Sequence, residues 1–156
     1  IEGCFIGLYA NGTFDVASRN YNGIGTNANN NTIGWNIVPD VSKFNVIANS
    51  VFQGITIGGD NSKVQGNYVG TTNNPLTAAN NSGRGVIMAG SNGAITDNII
   101  ANSGDVGVLI TAGPHLNNRI SHNRIFNNTV GGISLGTGAN NDKPAPTITS
   151  AAPTTI

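Results

Sequence analysis

The stretches ITDNIIAN at 95–102 and ISHNRIFN at 120–127 are one sentence written twice, 25 residues apart. Each is followed by a short gap and a second shared piece, GVLI at 107–110 and GISL at 132–135. Ile95 meets Ile120, Asn98 meets Asn123, Ile100 meets Ile125 and Asn102 meets Asn127. Self-similarity at such a period marks a repeat architecture. Apolar positions come in short pairs, two apart or across an Asn, and no i, i+3, i+4 run is sustained anywhere. The pattern predicts short strands broken by turns, and no helix longer than a loop turn.

Looser copies run back to the N-terminus. Val64, Asn67, Val69, Gly85, Val86 and Met88 fill the same slots, with an insertion at 71–84. Ile33, Asn45, Ile47, Asn49, Gly54, Ile55 and Ile57 make another copy, with an insertion at 34–44. The chain opens inside a copy at Ile1, Cys4, Ile6, Gly23, Ile24 and Thr26, with Cys4 in the Asn slot. Five copies result, and long and short ones alternate as if from an older two-turn unit.

One copy cannot bury its own apolar face, but stacked copies can bury a shared one. Three short strands per copy, wound the same way, predict an all-β parallel β-helix (solenoid) of about five coils, rising roughly 24 Å at the usual strand spacing. The Ile/Val/Leu series would point inward, with Asn67, Asn98 and Asn123 stacked at one turn as an asparagine ladder. Gly23, Gly54, Gly85, Gly107 and Gly132 each precede the same strand, where a positive φ or a close turn would call for glycine.

The unit I-x-x-N-x-I…G-[VI]-x-[IL] resembles the right-handed parallel β-helix repeats of the pectate-lyase-like superfamily. NNTIG…NVIANS…GITI…NYVGT at 30–71 is similar to the two-coil unit of bacterial secreted β-helix-repeat proteins of unassigned function. GISLGTGANNDKPAPTITSA at 132–151 also resembles the way such helices end. The resemblance covers nearly the whole chain. It implies a fold and little chemistry, because this fold carries lyases, hydrolases, adhesins and inert scaffolds alike.

Composition narrows the partners. The 156 residues fit one domain, seven basic and seven acidic residues cancel, and charged residues are only 9% of the chain. A nucleic-acid or acidic-membrane partner would need a clustered basic surface, so neither is expected. The Asn, Thr, Ser and Gly surface suits a neutral partner such as polysaccharide, and equally suits having no partner. One Cys allows no internal disulfide, and its repeat position makes it a packed or turn thiol. No stretch approaches the roughly 20 apolar residues of a membrane span, none reads as a signal peptide, and no cofactor or metal site is expected.

The expected organisation is β-helix coils over 1–139, followed by a C-terminal strand and linker over 140–156, which is rich in Pro and Thr. Both ends read as cut, implying a fragment of a longer exported protein. Flanking domains, or end-to-end association of copies, would cover its ends.

If the resemblance holds, the Asn slot is the turn between the second and third strands. The G-[VI]-x-[IL] strand then borders the face where lyases and hydrolases of this kind bind sugar. Its outward residues would be Gly25, Thr56, Ile87, Leu109 and Ser134. None is a carboxylate or a base, whereas such enzymes need calcium ligands with a basic residue, or paired carboxylates. The leading expectation is therefore a non-catalytic scaffold or carbohydrate-contacting surface module, secreted or on the cell surface.

The enzymatic alternative, a polysaccharide lyase or glycoside hydrolase, would draw on Asp97, His122 and Arg119 or Arg124 converging in a groove, or on catalytic residues in missing coils. Asp97 and His122 share a slot in successive coils, so their Cα atoms should lie about 5 Å apart. The carboxylate would raise the imidazole pKa and orient it as a base. The same spacing equally makes a structural Asp–His hydrogen bond on a turn. Lys63 and Arg119 share a slot across Ala94, as a stripe for acidic sugars or as a solvated face. His115 reads as a solvated loop residue.

Residues 9–22 and 71–84 leave the same corner of their coils, and insertions gathered on one face of a solenoid often bind. Tyr9, Tyr21 and Arg84 are the ligand-binding candidates there. Alternatively, Phe14 and Tyr21 fold back over apolar surface. Trp35 and Phe44, in a different insertion, are expected to plug or cover the core. GGDN at 58–61 matches one piece of a calcium-binding nonapeptide but occurs once, which makes it a turn. The Asn-x-Ser/Thr sequons at Asn11, Asn30, Asn80 and Asn127 arise from composition. Regular Thr rows of the ice-binding kind are missing, since Thr56 and Thr96 lack Thr neighbours in the adjacent coils.

Overall fold

The computed structural model describes residues 1–35, 41–74 and 76–144. Residues 36–40 of the insertion at 34–44, and the strand and linker expected beyond Pro144, lie outside them. The described chain is all-β, in three parallel sheets of strands two to five residues long. The first sheet runs β1 (Phe5–Ile6), β4 (Val46–Ile47), β7 (Tyr68–Val69), β10 (Ile99–Ala101) and β13 (Arg124–Phe126). The second runs β2 (Ile24–Thr26), β5 (Ile55–Ile57), β8 (Val86–Met88), β11 (Val106–Ile110) and β14 (Gly131–Leu135). The third runs β3 (Thr32–Gly34), β6 (Lys63–Gln65), β9 (Ala94–Thr96) and β12 (Arg119–Ser121).

The chain visits the three sheets in fixed rotation, so hydrogen-bonded neighbours are three strands apart in sequence. This arrangement is consistent with a β-helix. Among the described residues, helical structure amounts to two 3-10 turns, Val41–Lys43 and Ala139–Asp142.

The core is a set of inward columns. Ile33, Val64, Ile95 and Ile120 stack from the third sheet. Ile6, Ile47, Val69, Ile100 and Ile125 stack from the first. Ile24, Ile55, Val86, Val108 and Ile133 stack from the second. Members in the middle coils are fully buried, whereas Ile133, in the last coil, is 52% exposed. Alternation of period two carries Gly25, Thr56, Ile87, Leu109 and Ser134 to the other face of the second sheet, in the expected register.

The Asn column is a continuous ladder. Asn45 Nδ2 donates to Asn67 Oδ1 at 2.8 Å, Asn67 Nδ2 to Asn98 Oδ1 at 3.0 Å, and Asn98 Nδ2 to Asn123 Oδ1 at 2.9 Å. Each of these Oδ1 atoms also accepts the backbone N–H of the preceding rung, at 3.4, 2.9 and 2.9 Å. The second amide hydrogens of Asn67, Asn98 and Asn123 go to the carbonyls of Ile33, Val64 and Ile95. A primary amide has two donors and an oxygen that accepts twice, and Asn67 and Asn98 use all of them. Cys4 ends the ladder with its backbone alone, donating N–H to Asn45 Oδ1 at 3.0 Å. Its exposed thiol lies 3.2 Å from the Glu2 carbonyl, as a turn thiol rather than a packed one.

Two further amide steps escaped the repeat reading. Asn81 and Asn128 receive the N–H of Ser50 and Ser103 and donate to the carbonyls of Ile47 and Ile100. Asn118 and Asn140 receive the N–H of Gly93 and Asn118.

The glycine column has a different cause from positive φ. Gly23, Gly54, Gly85, Gly107 and Gly132 all have ordinary φ. A Cβ at Gly54 would meet the Gly85 carbonyl oxygen at 2.6 Å, and one at Gly85 would meet that of Gly107 at 2.6 Å. Gly23, Gly54, Gly85 and Gly107 are required by the closeness of the next coil, whereas a Cβ at Gly132 would make only an ordinary contact.

Candidate functional site

The second sheet carries its outward row, Gly25 to Ser134, beside the corner where the 9–22 and 71–84 insertions leave the first sheet. Along this row and its border lies a shallow groove of about 510 Å³, lined in part by Asn22, Gln53, Thr56 and Ile87. Tyr21 and Phe52 stand on its border, 67% and 42% exposed, with ring centroids 4.4 Å apart and planes at 40°. They belong to equivalent pieces of adjoining coils, YNGI at 21–24 and FQGI at 52–55. Phe52 N–H donates to the Tyr21 carbonyl at 2.9 Å, fixing the pairing. Asn22 Oδ1 accepts the N–H of Gln53, and Gln53 Oε1 accepts that of Arg84, so a short amide ladder holds the groove's edge. Among the described residues, none lining the groove is charged. Phe52 and Gln53 were absent from the candidates, although the shared x-[NQ]-G-I signal that places them beside Tyr21 was legible.

The other candidates are placed as follows. Tyr9 is exposed in a tight turn, its N–H donating to the Thr13 carbonyl at 2.8 Å, and it does not line the groove. Arg84 is drawn to Asp105, with Nε 3.0 Å from Oδ2. Arg19 ties the insertions together. Its Nη2 donates to the Ser50 carbonyl at 2.5 Å, Ser82 Oγ at 2.7 Å and the Asn80 carbonyl at 3.4 Å, joining residues of the 9–22 and 71–84 insertions. Phe14 is half-buried, while Tyr21 remains exposed beside Phe52 rather than folded away. Trp35 is buried and Phe44 packs edge-on to Tyr68, so both cover the wall.

The acid–base candidates do not converge on a groove. Asp97, His122, Arg119 and Arg124 are all exposed. Asp97 and His122 occupy the same slot of adjoining coils, yet their side chains form neither a hydrogen bond nor an ion pair. Their backbones explain the residue types. The slot has φ of 69° at Gly66, 59° at Asp97 and 57° at His122. Asp, Asn and His are the non-glycine residues that most readily accept this left-handed turn. The expected Asp–His hydrogen bond is therefore replaced by a shared backbone requirement. His122→Asn should change the unfolding free energy by under about 0.5 kcal/mol, because asparagine meets that requirement equally well. Urea denaturation of the two proteins checks it, and a large loss would reinstate a paired role for His122.

Arg124 lies over Phe126, its guanidinium carbon 4.9 Å from the ring centre. Lys63, Ala94 and Arg119 share one outward row, as expected. The backbone carbonyl of His115 receives the N–H of Asn140 and the amide of Asn118, which anchors its loop. In GGDN, Asp60 links coils through Asn29 Oδ1 to its own N–H and through its Oδ1 to Ser91 N–H, which is a turn's role. Among the described residues, no group of three or more His, Cys, Asp or Glu is placed to hold a metal ion, and no helix is long and apolar enough to cross a membrane. No family model, curated protein or solved structure matches the chain, so the resemblance rests on the repeat's own residues.

Proposed function

We propose that this chain is a segment of a right-handed parallel β-helix of the pectate-lyase-like kind, from an exported bacterial protein, and that it is a non-catalytic scaffold whose flank contacts carbohydrate. The observation that carries this reading is the groove on the second sheet. It is open, neutral and lined by amides and hydroxyls, and Tyr21 and Phe52 stand at its border. Sugar rings present apolar C–H faces to aromatics and hydroxyls to amides, and such a surface meets both. Hydrolysis or elimination would need an acid–base pair beside the bound chain, and the row Gly25, Thr56, Ile87, Leu109 and Ser134 supplies none.

The test is incubation with a panel of neutral and acidic polysaccharides, following retention on each polymer, new reducing ends and the absorbance of unsaturated uronates. Retention without cleavage is expected. Tyr21→Ala together with Phe52→Ala should weaken retention roughly tenfold, the equivalent of about 1.4 kcal/mol lost from an aromatic pair. Both side chains are exposed, so the melting temperature should move by only a few degrees. Cleavage of any polymer would replace this reading with an enzymatic one, and failure to be retained by any would leave a scaffold alone.

A further inference from the structure

A second, smaller pocket lies away from that groove, at the corner where the third sheet passes into the first. It is an open pocket of about 140 Å³, lined among the described residues by Trp35, Phe44, Tyr68, Ile99 and Asp97, with Gly66 and Asn67. Gly66 has no side chain because Trp35 occupies that space: a Cβ there would lie 2.0 Å from Trp35 Cζ3. Phe44 and Tyr68 meet edge to face, with centroids 5.0 Å apart and planes at 66°. Two polar groups at this pocket lack partners. Trp35 is only 9% exposed and its buried Nε1–H donates to nothing. Asp97, exposed, makes no side-chain hydrogen bond or ion pair, and it is the only charged residue among the described residues of the lining.

Nearby cations are directed elsewhere or are not part of the wall. Arg124, next to Ile99 in the first sheet, lies over Phe126, and Lys43 sits 3.5 Å from Glu2. His122 follows Asp97 in the adjoining coil but does not line the pocket.

We infer that this pocket binds a small organic cation, a quaternary ammonium of about choline's size. Size comes first. A cavity of about 150 Å³ holds a benzene-sized ligand, so a trimethylammonium group fits. Charge decides second. Three aromatic side chains and one unpaired carboxylate attract a weakly hydrated cation, as aromatic cages do. This inference is independent of carbohydrate binding at the groove.

Trp35 is the chain's single tryptophan, so its fluorescence reports this pocket alone. At constant ionic strength, choline and tetramethylammonium should each change that emission saturably, with a Kd on the order of 1 mM. The neutral isostere of choline, 3,3-dimethylbutan-1-ol, should bind at least about tenfold more weakly. Asp97→Asn should weaken choline binding by a similar factor while leaving the melting temperature in place, since asparagine accepts the φ of 59°. Equal response to the neutral isostere, no change in affinity in Asp97→Asn, or no saturation at about a hundred times that concentration would each overturn the assignment.

Discussion

Asn98→Ala is expected to cost about 3–5 kcal/mol of stability and to lower the melting temperature by roughly 10 °C. Asn98 is buried and makes four hydrogen bonds. It accepts Asn67 N–H and Nδ2–H at 2.9 and 3.0 Å, and donates to the Val64 carbonyl and Asn123 Oδ1, each at 2.9 Å. Truncation removes the partner of two donors of buried Asn67 and one from the Val64 carbonyl, and leaves Asn123 Oδ1 with the backbone N–H of residue 98 alone. Each orphan costs about 1–3 kcal/mol, part of which an entering water can recover. Asn98→Asp separates the directions of the bonds. It keeps both acceptances, loses both donations and buries a charge, so it should also be unstable at neutral pH. Burial raises a carboxyl pKa, so this variant should regain stability as pH falls and the acid takes up a proton to donate. Thermal unfolding followed by circular dichroism reads all of these changes. A melting temperature within about 2 °C of the parent's for Asn98→Ala would mean the ladder holds nothing together.

The second large effect tests register. Ile100→Asn should cost about 4 kcal/mol, because the inward column loses a fully buried side chain and gains an amide with no partner. Ile99→Asn, one residue earlier, should cost less than about 1.5 kcal/mol, since Ile99 faces outward and is half-buried. Strand side chains alternate faces, so a slip of one residue would exchange the two outcomes. Urea midpoints with matched slopes would decide between them.

The sequence was most informative where one slot demanded one chemistry. Asn67, Asn98 and Asn123 could be aligned because a primary amide is the side chain that both donates and accepts along a stack, so the slot tolerates little else. The outward row from Gly25 to Ser134 followed once that register was set. Slots with a looser demand misled. Gly66, Asp97 and His122 share a left-handed backbone, and the side-chain hydrogen bond that an acid beside an imidazole suggests is not formed. The glycines before the second sheet were correctly placed, but the positive φ offered as one reason is absent, because closeness to the next coil is a tertiary fact. Phe52 was overlooked because it sits just outside the repeat core, where its only signal is equivalence to Tyr21. The pocket around Trp35 was illegible, since it joins residues from four separate stretches of chain that only the winding brings together.

The ladder also has a consequence for how such a molecule can change. Its successive steps, Cys4 to Asn45, then Asn67, Asn98 and Asn123, span 41, 22, 31 and 25 residues, yet all share one register. Chain length between rungs is therefore decoupled from strand position. Insertions at the corner bearing residues 9–22 and 71–84 can lengthen, shrink or be exchanged at little energetic cost, about 0.6 kcal/mol for each doubling of a flexible loop. Selection, or an engineer, can thus rewrite the flank by insertion and deletion, changes that would shift every following residue to the wrong face if they fell within a strand. The stacked amides make the molecule a frame on which recognition can diverge while its core stays fixed.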